Sequence, residues 1–597
     1  MDKPLLQVNQ LQTHFQSNRG LTKAVDNVSF TLNPQETVAI VGESGSGKSV
    51  TSLSVMQLIP QPPGIIAGGE AIFQSRTFGE VDLLKLGPKQ LQQIRGNEIS
   101  MIFQEPMSSL NPVFTCGSQV AEVLIWHQKI TKAEAKERTL LLFKQVKLPR
   151  PEKIFKAYPH EISGGQKQRV MIAMAMACGP SVLIADEPTT ALDVTVQAHI
   201  LDLLNELRIQ HNTSILFITH DLGVVAEIAD RIIVMFRGKI VEQGSVLDIF
   251  SNPQHPYTQA LLACRPKLSM GNKFLPTVND FMDFDNSGKI IKKETLSTSE
   301  NVVKERINTF KSSSEKPLLV VDNLEVHFPI RKGLFSRSTE YIKAVDGVSF
   351  QVFPGETIGL VGESGCGKTT LGRALLRLVQ PTAGSIQFNE TDIASLSAEA
   401  LRKSRKNFQM IFQDPYASLN PMQTIGEAIM EPMQVHNVLS NTNERREKVY
   451  ELLDIVNLSV EHFHRYPHEF SGGQRQRISI ARALALEPKC IICDESVSAL
   501  DVSVQAQVLN LLNKLKADLG ITYIFITHDL AVARFMADRI FVMNAGKIVE
   551  AGTAHEIYSN PQNPYTRTLL AAIPKGELED IQRAQAQRQA LQANKSA

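Results

Sequence analysis

Lys48 and Lys368 each sit near the end of a glycine-rich octapeptide, GESGSGKS at 42–49 and GESGCGKT at 362–369. Both fit the spacing G-x-x-x-x-G-K-[ST]. Gly42, Gly45 and Gly47, with Glu43, Ser44 and Ser46 between them, let the backbone turn tightly enough for successive N–H groups to face an anion. Gly362, Gly365 and Gly367, with Glu363, Ser364 and Cys366, repeat the arrangement. A lysine at this position reaches β- and γ-phosphates, and the hydroxyl of Ser49 or Thr369 ligates Mg²⁺. The chemistry implied is binding and cleavage of a nucleoside triphosphate, twice in one chain.

The remaining polar candidates are duplicated as well. ADEPTTALD at 185–193 returns as CDESVSALD at 493–501. In these, Asp186 and Asp494 suit support of the magnesium, and Glu187 and Glu495 suit orientation and deprotonation of the attacking water. FITHDL occurs at 217–222 and again at 525–530. Its His220 and His528 hold the same register in both copies, which points to contact with the γ-phosphate rather than to a core histidine. Gln104 and Gln413 follow MIF in MIFQEP and MIFQDP and are candidates for sensing magnesium and water.

These residues need strands to present them. TVAIVG and TIGLVG lead into the glycine loops, SVLIADE and CIICDE end in the carboxylates, and ILFITH and YIFITH end in the histidines. Short apolar runs of this kind, followed by helical stretches, predict an α/β fold with a mostly parallel core sheet. The functional residues then lie at the carboxyl ends of the strands, where such sheets bind ligands. The lysines are 320 positions apart, the glutamines 309, and the later motifs 308. The first half therefore carries eleven extra residues between lysine and glutamine, around PQPPGIIAGGE, predicted as a surface loop insertion. The chain reads as a first domain at 1–265, a polar linker at 266–316 with a short helix at 301–310, a second domain at 317–575, and a polar tail at 576–597. The tail is expected to be a frayed, solvated helix without chemistry.

Composition narrows the classes. With 597 residues, 43% hydrophobic and 21% charged, the chain is ordinary globular protein of at least two domains. A net charge of +1 provides no general basic field for nucleic acid. No apolar run reaches the length of a spanning helix, and the N-terminus lacks a signal-peptide core. Cys490 and Cys493 form a CxxC without a second pair nearby, so KCIICDE is read as a buried strand rather than a metal or redox site.

One motif remains, ISGGQKQR at 162–169 and FSGGQRQR at 470–477. With the phosphate loops and acidic motifs, it makes both halves resemble the ATP-binding subunits of ABC transporters. The resemblance implies two tandem P-loop NTPase domains of ABC type, each adding an antiparallel β subdomain and a helical subdomain to the core sheet. It also implies that Ser163, Gly164, Gly165 and Gln166 close on the ATP held by Lys368, and Ser471, Gly472, Gly473 and Gln474 on that held by Lys48. Asp193 and Asp501 match the aspartates at the seam between domains. FQEPMSSLNP, FQDPYASLNP, HPYTQALLA at 255–263 and NPYTRTLLAAIP at 563–574 resemble the oligopeptide/dipeptide importer group of the tandem, two-module type.

The implied cofactors are ATP and Mg²⁺. The implied partners are two integral-membrane permease subunits, gripped near 121–158 and 428–466, and through them a periplasmic or extracellular solute-binding protein. The implied work is import of short peptides (dipeptides, oligopeptides or glutathione) from the cytoplasmic face of the membrane, as a peripheral subunit. Import of nickel or another small solute, or a soluble tandem ATPase acting on ribosomes or DNA, are the alternatives. Phe15, Phe335 and Tyr341 are candidates for stacking on adenine.

Overall fold

Five-residue apolar runs bounded by turns are short enough to be strands and apolar enough to be covered on both faces. Thr37–Val41, Val182–Asp186, Thr357–Val361, Cys490–Asp494 and Thr522–Ile526 are such strands, buried at every position. The computed structural model describes residues 3–17, 20–104, 109–190, 192–266, 274–284, 290–293, 316–331, 339–574 and 576–596. The helix expected at 301–310 lies outside the described residues.

In the first half, the core sheet has six strands in the order Lys239–Ser245, Arg231–Phe236, Thr37–Val41, Ser214–Thr219, Val182–Asp186 and Ile99–Ile102. Every neighbouring pair is parallel except the first. The second half repeats the order with Lys547–Thr553, Arg539–Asn544, Thr357–Val361, Thr522–Ile526, Cys490–Asp494 and Phe408–Ile411. Cys490 and Cys493 are free and fully buried in it, as a strand reading requires.

Beside each core lies a four-stranded antiparallel sheet. Here the expected loop insertion takes a different form. The strand Gly64–Ser75 has 12 residues where its counterpart Ala383–Phe388 has 6, and it pairs along Leu6–Ser17 from Phe73 back to Gly64. Much of the extra length is therefore strand, because alternating partly buried residues extend the ladder instead of looping out.

A helical subdomain follows in each half. It contains Cys116–Gln128, Lys132–Gln145 and Pro151–Lys156 in the first, and Ile425–Val435 and Thr442–Ile455 in the second. No helix among the described residues is long and apolar enough to cross a membrane.

The segments after each half cross to the other. Leu275 is fully buried in the second half's core, and its backbone N–H and C=O pair with the Asn510 side chain at 2.9 and 2.7 Å. Part of the expected linker is thus folded, with a helix at Val278–Phe281 and a hairpin of Met282–Phe284 and Ile290–Lys292. The expectation of a solvated tail is corrected too. The helix Leu578–Ser596 packs on the first half, burying Ile581 among Leu222, Val225, Tyr257 and Leu261. Arg588, only 5% exposed, donates to the carbonyls of Glu227 and Ala229 at the end of the helix Leu222–Ile228.

Candidate functional site

Each phosphate loop leaves a buried strand and enters a helix, Lys48–Val55 or Lys368–Leu375. Gly47 and Gly367 hold φ of 101° and 111° at the helix starts, and a Cβ there would strike the carbonyl of Ala24 or Ala344 within 2.4 Å. Glycine is therefore required by both backbone angle and space. The Lys48 ammonium donates to Gly42 O at 2.7 Å and Glu43 O at 2.9 Å, and Lys368 makes the same pair with Gly362 and Glu363. Each loop is thus a cradle of backbone groups with a buried cation inside it.

Oxygen donors cluster beside it. Ser49 Oγ donates to Asp186 Oδ1 at 3.0 Å, and Thr369 Oγ1 to Asp494 Oδ1 at 2.9 Å. Burial pushes the Asp186 carboxyl up to about 6 against the Ser49 hydrogen bond, with Glu187 adding to the rise. Asp494 is raised for the same first reason. A hydroxyl and a carboxylate that favours a neighbouring positive charge suit Mg²⁺, which usually takes one or two protein oxygens and completes its shell with phosphates and water. Among the described residues no group of three His, Cys, Asp or Glu side chains could hold a metal by itself.

Glu187 and Glu495 begin the turns after the acidic strands. Oε2 of Glu187 accepts from Gln104 Nε2 at 3.0 Å and Thr190 Oγ1 at 2.9 Å, while His220 Nδ1 lies 3.1 Å from Oε1. Burial alone would raise this carboxyl, but the His220 and Thr190 contacts and Lys48 hold it down to about 2. Burial disfavours charged His220, yet the Glu187 contact wins and raises its pKa. In the second copy, Gln413 Nε2 donates to Glu495 Oε2 at 2.8 Å and His528 Nδ1 lies 3.4 Å away. Ser498, the counterpart of Thr190, turns its hydroxyl to the Glu495 backbone carbonyl. The two carboxylates are therefore not held identically.

The signature turns start helices. Ser163 and Gln166 form a capping box on Gly164–Met176, and Ser471 and Gln474 do so on Gly472–Leu484. The hydrogen bonds of these turns are internal. Gly165 and Gly473 face the helices that follow Asp193 and Asp501, where a Cβ would meet Val196 at 2.9 Å or Val504 at 2.1 Å.

The seam is bridged in both directions. Ser44 N–H of the first loop donates to Asp501 Oδ1 at 2.8 Å, and Ser503 Oγ donates to Glu43 Oε1. In return, Thr195 Oγ1 donates to Glu363 Oε1 at 2.6 Å. Asp193 instead caps its own helix through Val196 N–H. Ser503 and Thr195 were not singled out from sequence, although each lies two residues beyond a seam aspartate.

His14 pairs with Lys23 and His327 with Lys343, so the repeat offset is 313 before the hairpin turn and 320 after it. The counterpart of Phe15 is therefore Phe328, a residue not singled out from sequence; the candidate Phe335 lies outside the described residues. Tyr341 is 59% exposed on the returning strand.

Paired phosphate loops, each ending a parallel strand and followed by acidic and histidine strands, define a tandem nucleoside-triphosphatase. The chain belongs to the ABC transporter ATP-binding family, an ATPase family whose model, described as "ABC transporter", matches residues 25–190 and 345–498. A second model, "Oligopeptide/dipeptide transporter, C-terminal region", matches 241–282 and 549–596. The chain is 48% identical to the glutathione import ATP-binding protein GsiA of Pectobacterium atrosepticum over 98% of its own length and 92% of that protein. It is 49% identical to the Escherichia coli K12 protein of the same name, over 96% and 90%.

Proposed function

We propose that this chain is the ATP-hydrolysing subunit of an importer for short peptides, with glutathione the first cargo to test. The observation that carries the mechanism is the reciprocal seam, in which each phosphate loop is touched by residues of the other half. Binding at either loop is then felt across the interface. The names of the relatives, and the importer-type segment after each half, support the cargo class.

Lys48 and Lys368 neutralise the β- and γ-phosphates, and the loop N–H groups orient them. Ser49, Asp186 and Gln104, and Thr369, Asp494 and Gln413, would hold Mg²⁺, which when bound offsets phosphate charge. Glu187 and Glu495 orient the attacking water and accept its proton, a role typically worth about 10²–10⁴ in rate. His220 and His528 steady those carboxylates and face the γ-phosphate. Ser163–Gln166 and Ser471–Gln474 complete the opposite sites, their helix N-termini favouring the phosphate charge. The seam cleft lined by His220, His528, Thr190 and Ser498 draws both histidine turns into one region.

Coupling to transport requires that the closed pair favour one permease state over another. Exposed apolar side chains in the helical subdomains support a docking role there for two permease subunits. Trp126 is 62% exposed in the first half, and Met422 is 83% exposed just before the first helix of the second. We place the chain at the cytoplasmic face of the membrane, held through those permeases, with a solute-binding protein on the far side.

The test is twofold. Glu187→Gln or Glu495→Gln alone should cut ATP turnover at least tenfold while nucleotide binding persists, and unchanged turnover in the double variant would dispose of the assigned bases. Uptake of labelled glutathione, dipeptides and longer peptides in a strain lacking the gene separates the cargo classes. Failure of all three would overturn the peptide reading.

A further inference from the structure

The HPYT and NPYT segments carry a repeated geometry that nucleotide binding, as described above, does not use. In each half, a glutamate on the antiparallel edge strand anchors the turn before the segment. Glu242 accepts from Gln254 N–H at 2.7 Å and His255 N–H at 3.0 Å. Glu550 accepts from Gln562 N–H at 2.6 Å and Asn563 N–H at 3.1 Å. His255 and Asn563 then cap the helices Pro256–Ala263 and Pro564–Ala571, with proline in the first turn. The tyrosine that follows is thereby aimed at the phosphate loop. Glu43 N–H donates to the Tyr257 hydroxyl at 3.0 Å, and Glu363 N–H donates to the Tyr565 hydroxyl at 3.1 Å.

Tyr257 is fully buried against Phe236, with ring centroids 4.4 Å apart. Its hydroxyl ends at the loop rather than in water. The residue it holds is the one whose carbonyl accepts from the loop lysine and whose side chain crosses the seam. One residue thus meets the C-terminal region through its N–H, the phosphate-binding cation through its C=O, and the opposite half through its side chain.

We infer that Tyr257 and Tyr565 are positioning residues for the two phosphate loops, fixing the Glu43 and Glu363 peptides so that each loop is already shaped for a triphosphate. The inference rests on the phosphate-loop reading above. A loop shaped in advance lowers the ordering cost of binding, and it does so equally for the ground and transition states. Loss of the hydroxyl should therefore raise KM for ATP without a matching fall in kcat.

The test is Tyr257→Phe with Tyr565→Phe in the full chain, which removes two oxygens and keeps both rings. An unsatisfied amide beneath each loop is expected to raise KM, and the dissociation constant of a fluorescent ATP analogue, about tenfold. The fall in kcat should be under about twofold. Wild-type affinity, or a fall in kcat with KM unchanged, would overturn the assignment, since loss of folded protein lowers kcat alone. Lys48→Ala with Lys368→Ala is the reference. If that variant also bound the analogue normally, the phosphate-loop reading would fail. If it lost binding while the phenylalanine variant did not, only the tyrosine inference would fail.

Discussion

Glu187 and Glu495 both hold φ of 47°, a left-handed backbone that residues other than glycine adopt only under constraint. The constraint is local, since their N–H groups still donate to Ile218 O and Ile526 O of the neighbouring strand at 2.9 Å while the chain turns away. Close packing sets a second residue-scale limit at the signature glycines. Gly473→Ala brings a Cβ to 2.1 Å from Val504, whereas Gly165→Ala meets Val196 at 2.9 Å. Overpacking of this kind costs about 1–3 kcal/mol, so thermal unfolding should show the larger loss for Gly473→Ala. Equal losses would count against the packing account. The carboxylates, histidines and glutamines of each site were legible in sequence because each ends or follows a short apolar strand, and the lysines because a glycine loop precedes them. Phe328 was not, since extra residues in its hairpin shift the repeat offset. Nor were Thr195 and Ser503, whose partners belong to the other half and leave no local pattern.

At the scale of elements, the alternation of strands and helices and the two-part repeat could be read directly, because buried strands are nearly uniform in hydrophobicity. The last helix could not. Among its described side chains only Ile581 and Arg588 are buried, seven residues apart and so two turns along one face, too sparse a signal for periodicity to register. Its energetic weight can be measured. Ile581→Ala should cost the first half about 2–5 kcal/mol, the usual range for a fully buried isoleucine. Trp126, the only tryptophan, lies in that half and reports its unfolding by fluorescence. A transition unchanged by the substitution would mean that the helix contributes no stability there.

On the scale of the whole molecule, the two halves and the last helix enclose a cleft of about 1080 Å³. Glu227 faces it with Asp202 and Asp580, and burial, then Asp221 and those two carboxylates, push its carboxyl up to about 7 against the pull of Arg265. A folded pKa above the ordinary value gives stability that is full below about 4.5 and is lost as pH rises through about 7. Glu227→Gln should therefore raise the unfolding temperature relative to wild type at pH 8, and the gain should shrink as pH falls and vanish by about pH 4. A gain of the same size at both would mean that charge at this position is irrelevant to the cleft.

The crossing of the final helix bears on how the protein is made. Ala263 leaves the ribosome 318 residues before Ile581 does. At roughly 5–20 residues per second, about 15 to 60 s separate them. During that interval the nascent first half carries an unfilled apolar socket, plugged only once the helix at Leu578–Ser596 has emerged.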